Sequence, residues 1–148
     1  MEIRPAHPSD GPRIIELIRL LARFEELPEP GDDEARRLLV HAFEEQRLEL
    51  WVAADGGEVV AYAACFTAYS TFRARPTLFL EDLFVHPSAR RRGVATAMLA
   101  RLRGEAEARG CGRFEWMVLD WNQGAQALYA GIGATLLPDW RLVRIDLA

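Results

Sequence analysis

The residues best suited to chemistry in this chain cluster between Phe79 and Met98. An apolar run that contains Glu81 is followed by the basic loop Arg90–Arg92 and by Gly93, which opens an amphipathic helix. The start of a helix leaves unpaired main-chain N–H groups at the positive end of the helix dipole, where phosphate binds readily. The arginines add full positive charge beside it. The pattern therefore predicts a site for an anionic cofactor.

Other phosphate-binding and metal-binding patterns are missing from the sequence. A P-loop needs a lysine, and the chain has no lysine and no Gly-x-Gly-x-x-Gly. The histidines are far apart and only 2 cysteines occur, so no zinc-site spacing is present. No serine lies in a nucleophile-elbow context. We therefore expect neither a metal ion nor serine-hydrolase chemistry.

Composition restricts the class of protein and its partners. A chain of 148 residues is long enough for one domain with a substantial core. The net charge of −4 argues against general nucleic-acid binding. Cys65 and Cys111 are isolated and fit reduced thiols, and no apolar run reaches the ~20 residues of a membrane span. We expect a single domain over residues 1–148, located in the cytoplasm, with no nucleic-acid or membrane partner.

The elements that position the candidate residues follow from hydrophobic spacing and turn signals. Asp55-Gly56-Gly57 predicts a hairpin turn, and 69–76 is predicted to be a loop. The pattern predicts helices from the start signal at 8–12 to Phe24, from Asp32 or Asp33 to about 43, over about 92–109 and over about 123–130. It predicts strands over 2–5, 48–54, 58–67, 77–85, 113–119, 134–137 and 140–147. The sum is an α/β fold with a mixed, mostly antiparallel sheet flanked by helices.

The basic loop resembles a family signature. The run from Arg90 to Ala95 matches the Arg/Gln-x-x-Gly-x-Gly/Ala pattern of the GNAT superfamily of N-acetyltransferases, and the order of elements is similar along the whole chain. The resemblance implies a GNAT fold, with strands that splay apart at the cofactor site, and acetyl-CoA as the cofactor. Further stretches resemble the diamine branch, which comprises the spermidine/spermine and thialysine acetyltransferases: Ile3–Ala6, Phe24–Glu26, Leu80–Val85, Trp121-Asn122, Leu128–Ala134 and Trp140–Leu142.

The same resemblance assigns residues to coenzyme A. The main chain of Leu83, Phe84 and Val85 would hold the pantetheine arm, and Asn122 would contact it, although an asparagine that opens a helix can also serve as its N-cap. Gly93 would let the main chain approach the diphosphate because it has no Cβ. The alternative is a solvated basic loop that caps a helix. The residues assigned to the loop are Arg90, Arg91, Arg92, Gly93, Val94, Ala95 and Thr96.

Acetylation of an amine requires two proton movements. An alkylammonium group, with a pKa near ~10, must lose a proton before it attacks, and the departing thiolate benefits from receiving one. The resemblance implies Glu81 as the base, acting through water, and Tyr129 as the proton donor. By strand alternation, Asp82 points to the other face of the sheet and has a structural role, unless a bulge brings it inward. The alternatives are an exposed strand carboxylate for Glu81 and core packing for Tyr129.

The acceptor predicted from the resemblance is a small molecule with a primary amine: a diamine, a polyamine or a lysine analogue. Arg73 and Arg75 would disfavour polyamines if they faced the site. Alternative acceptors are a protein N-terminus, a protein lysine or an aminoglycoside, and a non-catalytic acyl-CoA sensor is the alternative of another class. The candidate acceptor-binding residues are Glu25, Glu26, Glu81, Asp82 and Trp140, each of which could instead be a solvated carboxylate or, for Trp140, a dimer contact.

A homodimer is also implied by the diamine branch, in which the C-terminal strands form the interface. The alternative is that the same apolar residues complete the core of a monomer. These residues are Leu136, Leu137, Trp140, Leu142, Val143 and Ile145.

Overall fold

The computed structural model describes all 148 residues and shows an α/β fold, as predicted. The chain forms two compact units, Met1–Met117 and Val118–Ala148. No helix has both the length and the apolar character needed to cross a bilayer. The first unit contains β1 (Glu2–Pro5), α1 (Gly11–Phe24), α2 (Asp32–Phe43), β2 (Glu49–Asp55), β3 (Glu58–Ser70), β4 (Arg75–Val85), α3 (Val94–Ala108) and β5 (Arg113–Trp116), and the second contains α4 (Gln123–Gly131).

The five strands form one mixed sheet in the order β1-β2-β3-β4-β5. The first three pairs are antiparallel, whereas β4 and β5 are parallel and are connected through α3. The pairing of β4 with β5 ends at Leu80 opposite Trp116, but β4 continues to Val85. One edge of β4 therefore has no strand partner over 81–85. This unpaired stretch of β4 lies where the family resemblance implies that the strands splay apart.

The core lies on both faces of the sheet. On one face, Ile14 and Leu17 of α1 pack in a cluster with Val52, Tyr62 and Phe84 from three strands. The inner face of α3 is buried as its spacing predicts: Val94, Met98 and Leu102 are at most 2% exposed. Burial of each such large aliphatic side chain stabilises the fold by about 1.5–3 kcal/mol.

The hairpin between β3 and β4 is tighter than the sequence indicates. The prediction of a loop over 69–76 is wrong, since Tyr69 pairs with Pro76 and Ser70 with Arg75, which leaves a turn over 71–74. Proline normally disfavours a sheet interior because it cannot donate a hydrogen bond. Pro76 precedes the first β4 residue that pairs with β5, so its missing N–H removes no bond to β5.

The predicted strands near the C-terminus are wrong. The sheet contains no residue beyond Trp116, so β5 is shorter than the predicted 113–119, and 134–148 contains no strand. Apolar residues in this segment are exposed, with Val143 at 88% and Ile145 at 84%. Alternating apolar residues predict a strand on the assumption that a neighbouring strand covers them. No strand of this chain does so.

Two helices begin at different residues from those predicted. Helix α2 has Gly31 at its N-cap, whereas Asp32 and Asp33 lie in its first turn, where their charge complements the helix dipole. Helix α3 begins at Val94 rather than at Arg92, because Gly93 has a left-handed φ of 75° and cannot be part of a right-handed helix. The first turn of α3 therefore starts two residues further along the chain than the pattern indicates.

Replacing Gly104 by alanine should stabilise the protein. Gly104 lies inside α3, and a Cβ added there meets no atom within 4 Å. Since glycine in a helix interior is less favourable than alanine, Gly104→Ala should raise the free energy of unfolding by about 0.5–1 kcal/mol in a urea titration. Gly110→Ala is the matched control, because the φ of 75° at Gly110 should make it destabilising. Equal effects of the two substitutions would contradict the helix assignment.

Candidate active site

A β-bulge in β4 places the two candidate carboxylates. Asp82 pairs with Ala64 and Leu80 with the next β3 residue, Cys65, so Glu81 is an extra residue without a partner. Bulges change the direction of nearby side chains and are frequent next to active sites. Because of this bulge, Asp82 follows the register of Ala64 and lies on the face of the core that contains Tyr62. Glu81 is exposed.

The Asp82 carboxylate is held by a buried tyrosine that the sequence analysis did not select. The Tyr62 hydroxyl donates to Asp82 Oδ2 at 3.1 Å. Burial raises the pKa of Asp82 to about 6, the negative charges of Glu81 and Glu25 also raise it, and the Tyr62 hydrogen bond opposes the shift. Burial, together with the charge of Asp82, raises the pKa of Tyr62, so the phenol keeps its proton and acts as the donor.

Glu25 brings a third carboxylate to this region from the end of α1. It is half-buried, and burial raises its pKa. The charged groups that act on Asp82 are Glu25 and Glu81, and no arginine is among them. Glu26 is exposed and has a left-handed φ of 58°. Glu25, Glu81 and Asp82 thus form a group of acidic side chains without a basic partner, which we call the acidic cluster.

The loop before α3 presents unpaired main-chain donors. None of the N–H groups of residues 91–96 donates a hydrogen bond within the chain, and the first amide of this region to do so is that of Ala97, to the Gly93 carbonyl at 3.0 Å. Arg91 and Gly93 have left-handed φ values of 61° and 75°. Left-handed residues can turn successive N–H groups toward one concavity, which suits a phosphate. The loop over Arg91–Gly93 therefore has a main-chain geometry that suits an anion, in agreement with its sequence pattern.

The three arginines of this loop have different environments. The Arg90 guanidinium lies over the rings of Phe24 and Phe84, at 5.5 and 5.4 Å from their centroids, and its Nε donates to the Val85 carbonyl. Arg92 pairs with Asp55 at 2.6 Å, and this hydrogen bond lowers the pKa of Asp55. Arg91 is exposed and makes no ion pair. Arg90 and Arg92 therefore tie the loop to its surroundings, whereas Arg91 makes no ion pair within the chain.

Gly93 is needed at its position for its backbone conformation. A Cβ built there meets no atom within 4 Å. From its sequence pattern, Gly93 is predicted to be glycine so that a ligand can approach the main chain closely. No contact within the chain tests that prediction. The left-handed φ alone disfavours any residue with a side chain, by roughly 1–2 kcal/mol.

Arg73 and Arg75 lie at the far end of β4 from the acidic cluster. Both belong to the β3–β4 hairpin end and are exposed. Arg75 and Glu81 are six positions apart on the strand, which corresponds to about 20 Å along the sheet. The two arginines therefore do not face the acidic cluster.

The second unit carries the remaining candidates, Asn122, Tyr129 and Trp140. Asn122 is the N-cap of α4, and its Oδ1 accepts from the Ala125 amide at 3.2 Å, so the capping alternative is correct. Tyr129 is half-buried on α4. Trp140 is 78% exposed and lies outside any helix or strand. The Gln126 side chain donates to the carbonyls of Leu119 and Asp120 and holds α4 to the segment before it.

The family follows from comparison with known proteins. Residues 14–134 match the Acetyltransferase (GNAT) family, which is most of the chain and includes the loop before α3. The chain belongs to the GNAT family. It is accordingly an N-acetyltransferase, as the Arg90–Ala95 signature predicts, and the predicted fold is confirmed.

Individual relatives of this GNAT chain are consistent with that assignment. It is 30% identical to the thialysine N-epsilon-acetyltransferase of Bos taurus, over 97% of this chain and 91% of that protein. It is 33% identical to the thialysine N-epsilon-acetyltransferase of Mus musculus, over 89% of this chain and 82% of that protein. A crystal structure of a probable acetyltransferase superposes with a TM-score of 0.87 at 18% identity, covering 100% of this chain and 99% of that one, which shows the shared fold.

Removing the charge of Arg91 should weaken coenzyme A binding without loss of stability. Arg91→Gln deletes an exposed cation that pairs with no acidic residue, so calorimetric titration should show an affinity for coenzyme A lower by roughly fivefold to tenfold. Thermal unfolding should not change. Arg37→Gln is the control, since Arg37 is exposed on α2, away from this loop. An unchanged affinity in Arg91→Gln would exclude Arg91 from the cofactor site.

Proposed function

We propose that this N-acetyltransferase transfers the acetyl group of acetyl-CoA to a primary amine of a small molecule: a diamine, a polyamine or a lysine analogue such as thialysine. The acidic cluster is the observation that carries the proposal. Three carboxylates that lack a basic partner attract a cation, and an alkylamine is a cation at neutral pH. Relatives that acetylate thialysine support the same class of acceptor.

Acetyl-CoA fits the chain at two places in the first unit. The unpaired amides of residues 91–96 provide donors for its diphosphate, and Arg91 adds an unpaired charge. The edge of β4 over 81–85, which has no strand partner, is where the main chain of Leu83, Phe84 and Val85 would meet the pantetheine arm, although the Val85 carbonyl already accepts from Arg90 Nε. When bound, acetyl-CoA supplies an activated acyl group as a thioester. Neither cysteine is needed as a covalent carrier, and burial raises the pKa of Cys65 to about 12, which disfavours a thiolate.

The acidic cluster supplies the proton chemistry on the acceptor side. Glu81 is exposed and can accept the proton of the ammonium group through water, while the carboxylates of Asp82 and Glu25 hold the cation near β4. Tyr129 as the donor to the departing thiol, and Asn122 and Trp140 as further binding residues, remain proposals that rest on the sequence resemblance. Arg73 and Arg75 do not argue against polyamines, since they lie at the other end of β4.

We further propose a homodimer in the cytoplasm. The C-terminal segment exposes Trp140, Leu142, Val143, Ile145 and Leu147, each by more than 60%. An extended segment that exposes so many apolar side chains is suited to burial against a second copy of the chain. The free cysteines are compatible with a reducing compartment.

A panel of amines tests the proposed function. The full chain should release thiol from acetyl-CoA with thialysine, lysine, ornithine, spermidine or putrescine. The kcat/KM should be highest for amines with a second charged group, because the three carboxylates of the acidic cluster can pair with more than one ammonium group. Aminoglycosides and peptides with a free N-terminus form the comparison set. Preferential turnover of that set would overturn the proposed acceptor class, and tight coenzyme A binding with no release from any amine would indicate a sensor.

Replacing Tyr129 by phenylalanine tests the proton donor. Tyr129→Phe should lower kcat by roughly ten- to a thousand-fold, because the substitution removes the hydroxyl that donates the proton and keeps the ring. Affinity for coenzyme A should be unchanged in calorimetry. Tyr69→Phe is the matched control, since Tyr69 is 65% exposed on the β3–β4 hairpin. Wild-type kcat in Tyr129→Phe would remove this residue from the mechanism.

A further inference from the structure

Tyr62 is a buried residue whose hydroxyl contacts the carboxylate of Asp82. The residue is 0% exposed and packs among Ile14 and Leu17 of α1. Its hydroxyl makes one hydrogen bond, to Asp82 Oδ2. A buried hydroxyl without a hydrogen-bond partner costs about 1–3 kcal/mol. Phenylalanine would fill the same space without that risk, so the bond to Asp82 is what the hydroxyl of Tyr62 contributes.

The two oxygens of Asp82 have different environments as a result. Oδ2 accepts from Tyr62, whereas Oδ1 accepts no hydrogen bond within the chain. Because no fully buried side-chain oxygen or nitrogen lacks a partner, the half-buried Asp82 must keep Oδ1 in contact with solvent. The bond to Tyr62 therefore fixes the carboxylate with one oxygen inward and the other accessible.

The remaining groups around Asp82 oppose its ionisation. Glu81 on β4 and Glu25 at the end of α1 both carry negative charge toward it, and burial acts in the same direction. Tyr62 on β3 is the one group acting on Asp82 that favours the charged form. A hydrogen bond to the ionised state of a carboxyl group lowers its pKa, so loss of this bond must raise the pKa of Asp82.

We propose that Tyr62 is a positioning residue for acetyl transfer, which keeps Asp82 ionised with Oδ1 directed outward so that this oxygen can bind the ammonium group of the acceptor. This inference rests on the proposed function and deepens it by assigning a role to a residue of the β3 core. Tyr62 itself touches neither the acceptor nor the cofactor. It acts through Asp82.

Tyr62→Phe tests the hydrogen bond directly. The substitution keeps the ring and its packing but removes the donor. In a ¹³C NMR titration, the Asp82 carboxyl signal, assigned by its absence in Asp82→Asn, should titrate about one pH unit higher in Tyr62→Phe than in the wild type. Tyr69→Phe should leave this titration unchanged, because Tyr69 makes no bond to a carboxylate. An unmoved Asp82 titration in Tyr62→Phe would overturn the proposal, whether or not any amine is a substrate.

The kinetic effect should follow the ionisation of Asp82. At about pH 6 the variant should show kcat/KM for the amine several-fold further below the wild type than at about pH 8, where Asp82 is ionised in both proteins. KM for acetyl-CoA should be unchanged. A ratio of the two kcat/KM values that does not vary with pH, despite a moved NMR titration, would overturn the role of Asp82 in acceptor binding. A wild-type enzyme inactive with every amine would instead refute the proposed function alone.

A second measurement protects the test against a folding defect in Tyr62→Phe. Biosynthetic replacement of the tyrosines by 3-fluorotyrosine makes the phenol a stronger donor and preserves the ring. The Asp82 carboxyl signal should then titrate at lower pH than in the unlabelled protein, the opposite direction from Tyr62→Phe. Movement to higher pH would contradict the assignment of Tyr62 as the donor that stabilises ionised Asp82.

Discussion

The proposed cofactor site depends first on the unpaired amides of residues 91–96. They exist because β4 must connect to the parallel strand β5 through a helix, and the helix N-terminus then lies just beyond the C-terminal end of β4. The left-handed residues Arg91 and Gly93 prevent α3 from extending toward β4, so the amides before it stay outside the helix. Stacking of Arg90 on Phe24 and Phe84, and the pair between Arg92 and Asp55, anchor this loop to α1, β4 and the β2–β3 hairpin. The two left-handed residues are thereby held in place just before α3.

The bulge at Glu81 adds the complementary charge on β4, ten residues before the first of these amides. It places Asp82 in register with the Tyr62 face and leaves Glu81 exposed, so two adjacent carboxylates acquire different environments. One is hydrogen-bonded and has a raised pKa, and the other is open to solvent. The loop after β4 thus presents donors that suit an anion, and β4 itself presents acceptors that suit a cation. That polarity suits a reaction between an anionic acyl donor and a cationic amine.

Local sequence patterns predicted the unpaired amides of the loop before α3. They did not predict the bulge at Glu81 or the bond from Tyr62, which depend on pairing between distant strands. Gly93 and the arginines act through neighbouring main chain, so their sequence alone indicated an anion site. The bulge at Glu81 depends on the register with β3, and the role of Tyr62 depends on that bulge, so a tyrosine in an apolar run gave no signal. All three arginines of the loop are predicted cofactor ligands from the sequence; the structure adds the contacts of Arg90 with Phe24 and of Arg92 with Asp55, which no local pattern indicates. The C-terminal alternation was misleading because no strand of the chain covers it.

Amide hydrogen exchange across the start of α3 tests the central claim most directly. With the free protein, the N–H groups of residues 91–96 should exchange rapidly because they donate no hydrogen bond within the chain. Saturating coenzyme A should slow them by about tenfold or more, while pantetheine, which lacks the diphosphate, should not. Slow exchange in the free protein, or no added protection from coenzyme A, would contradict the assignment of this loop as the anion site.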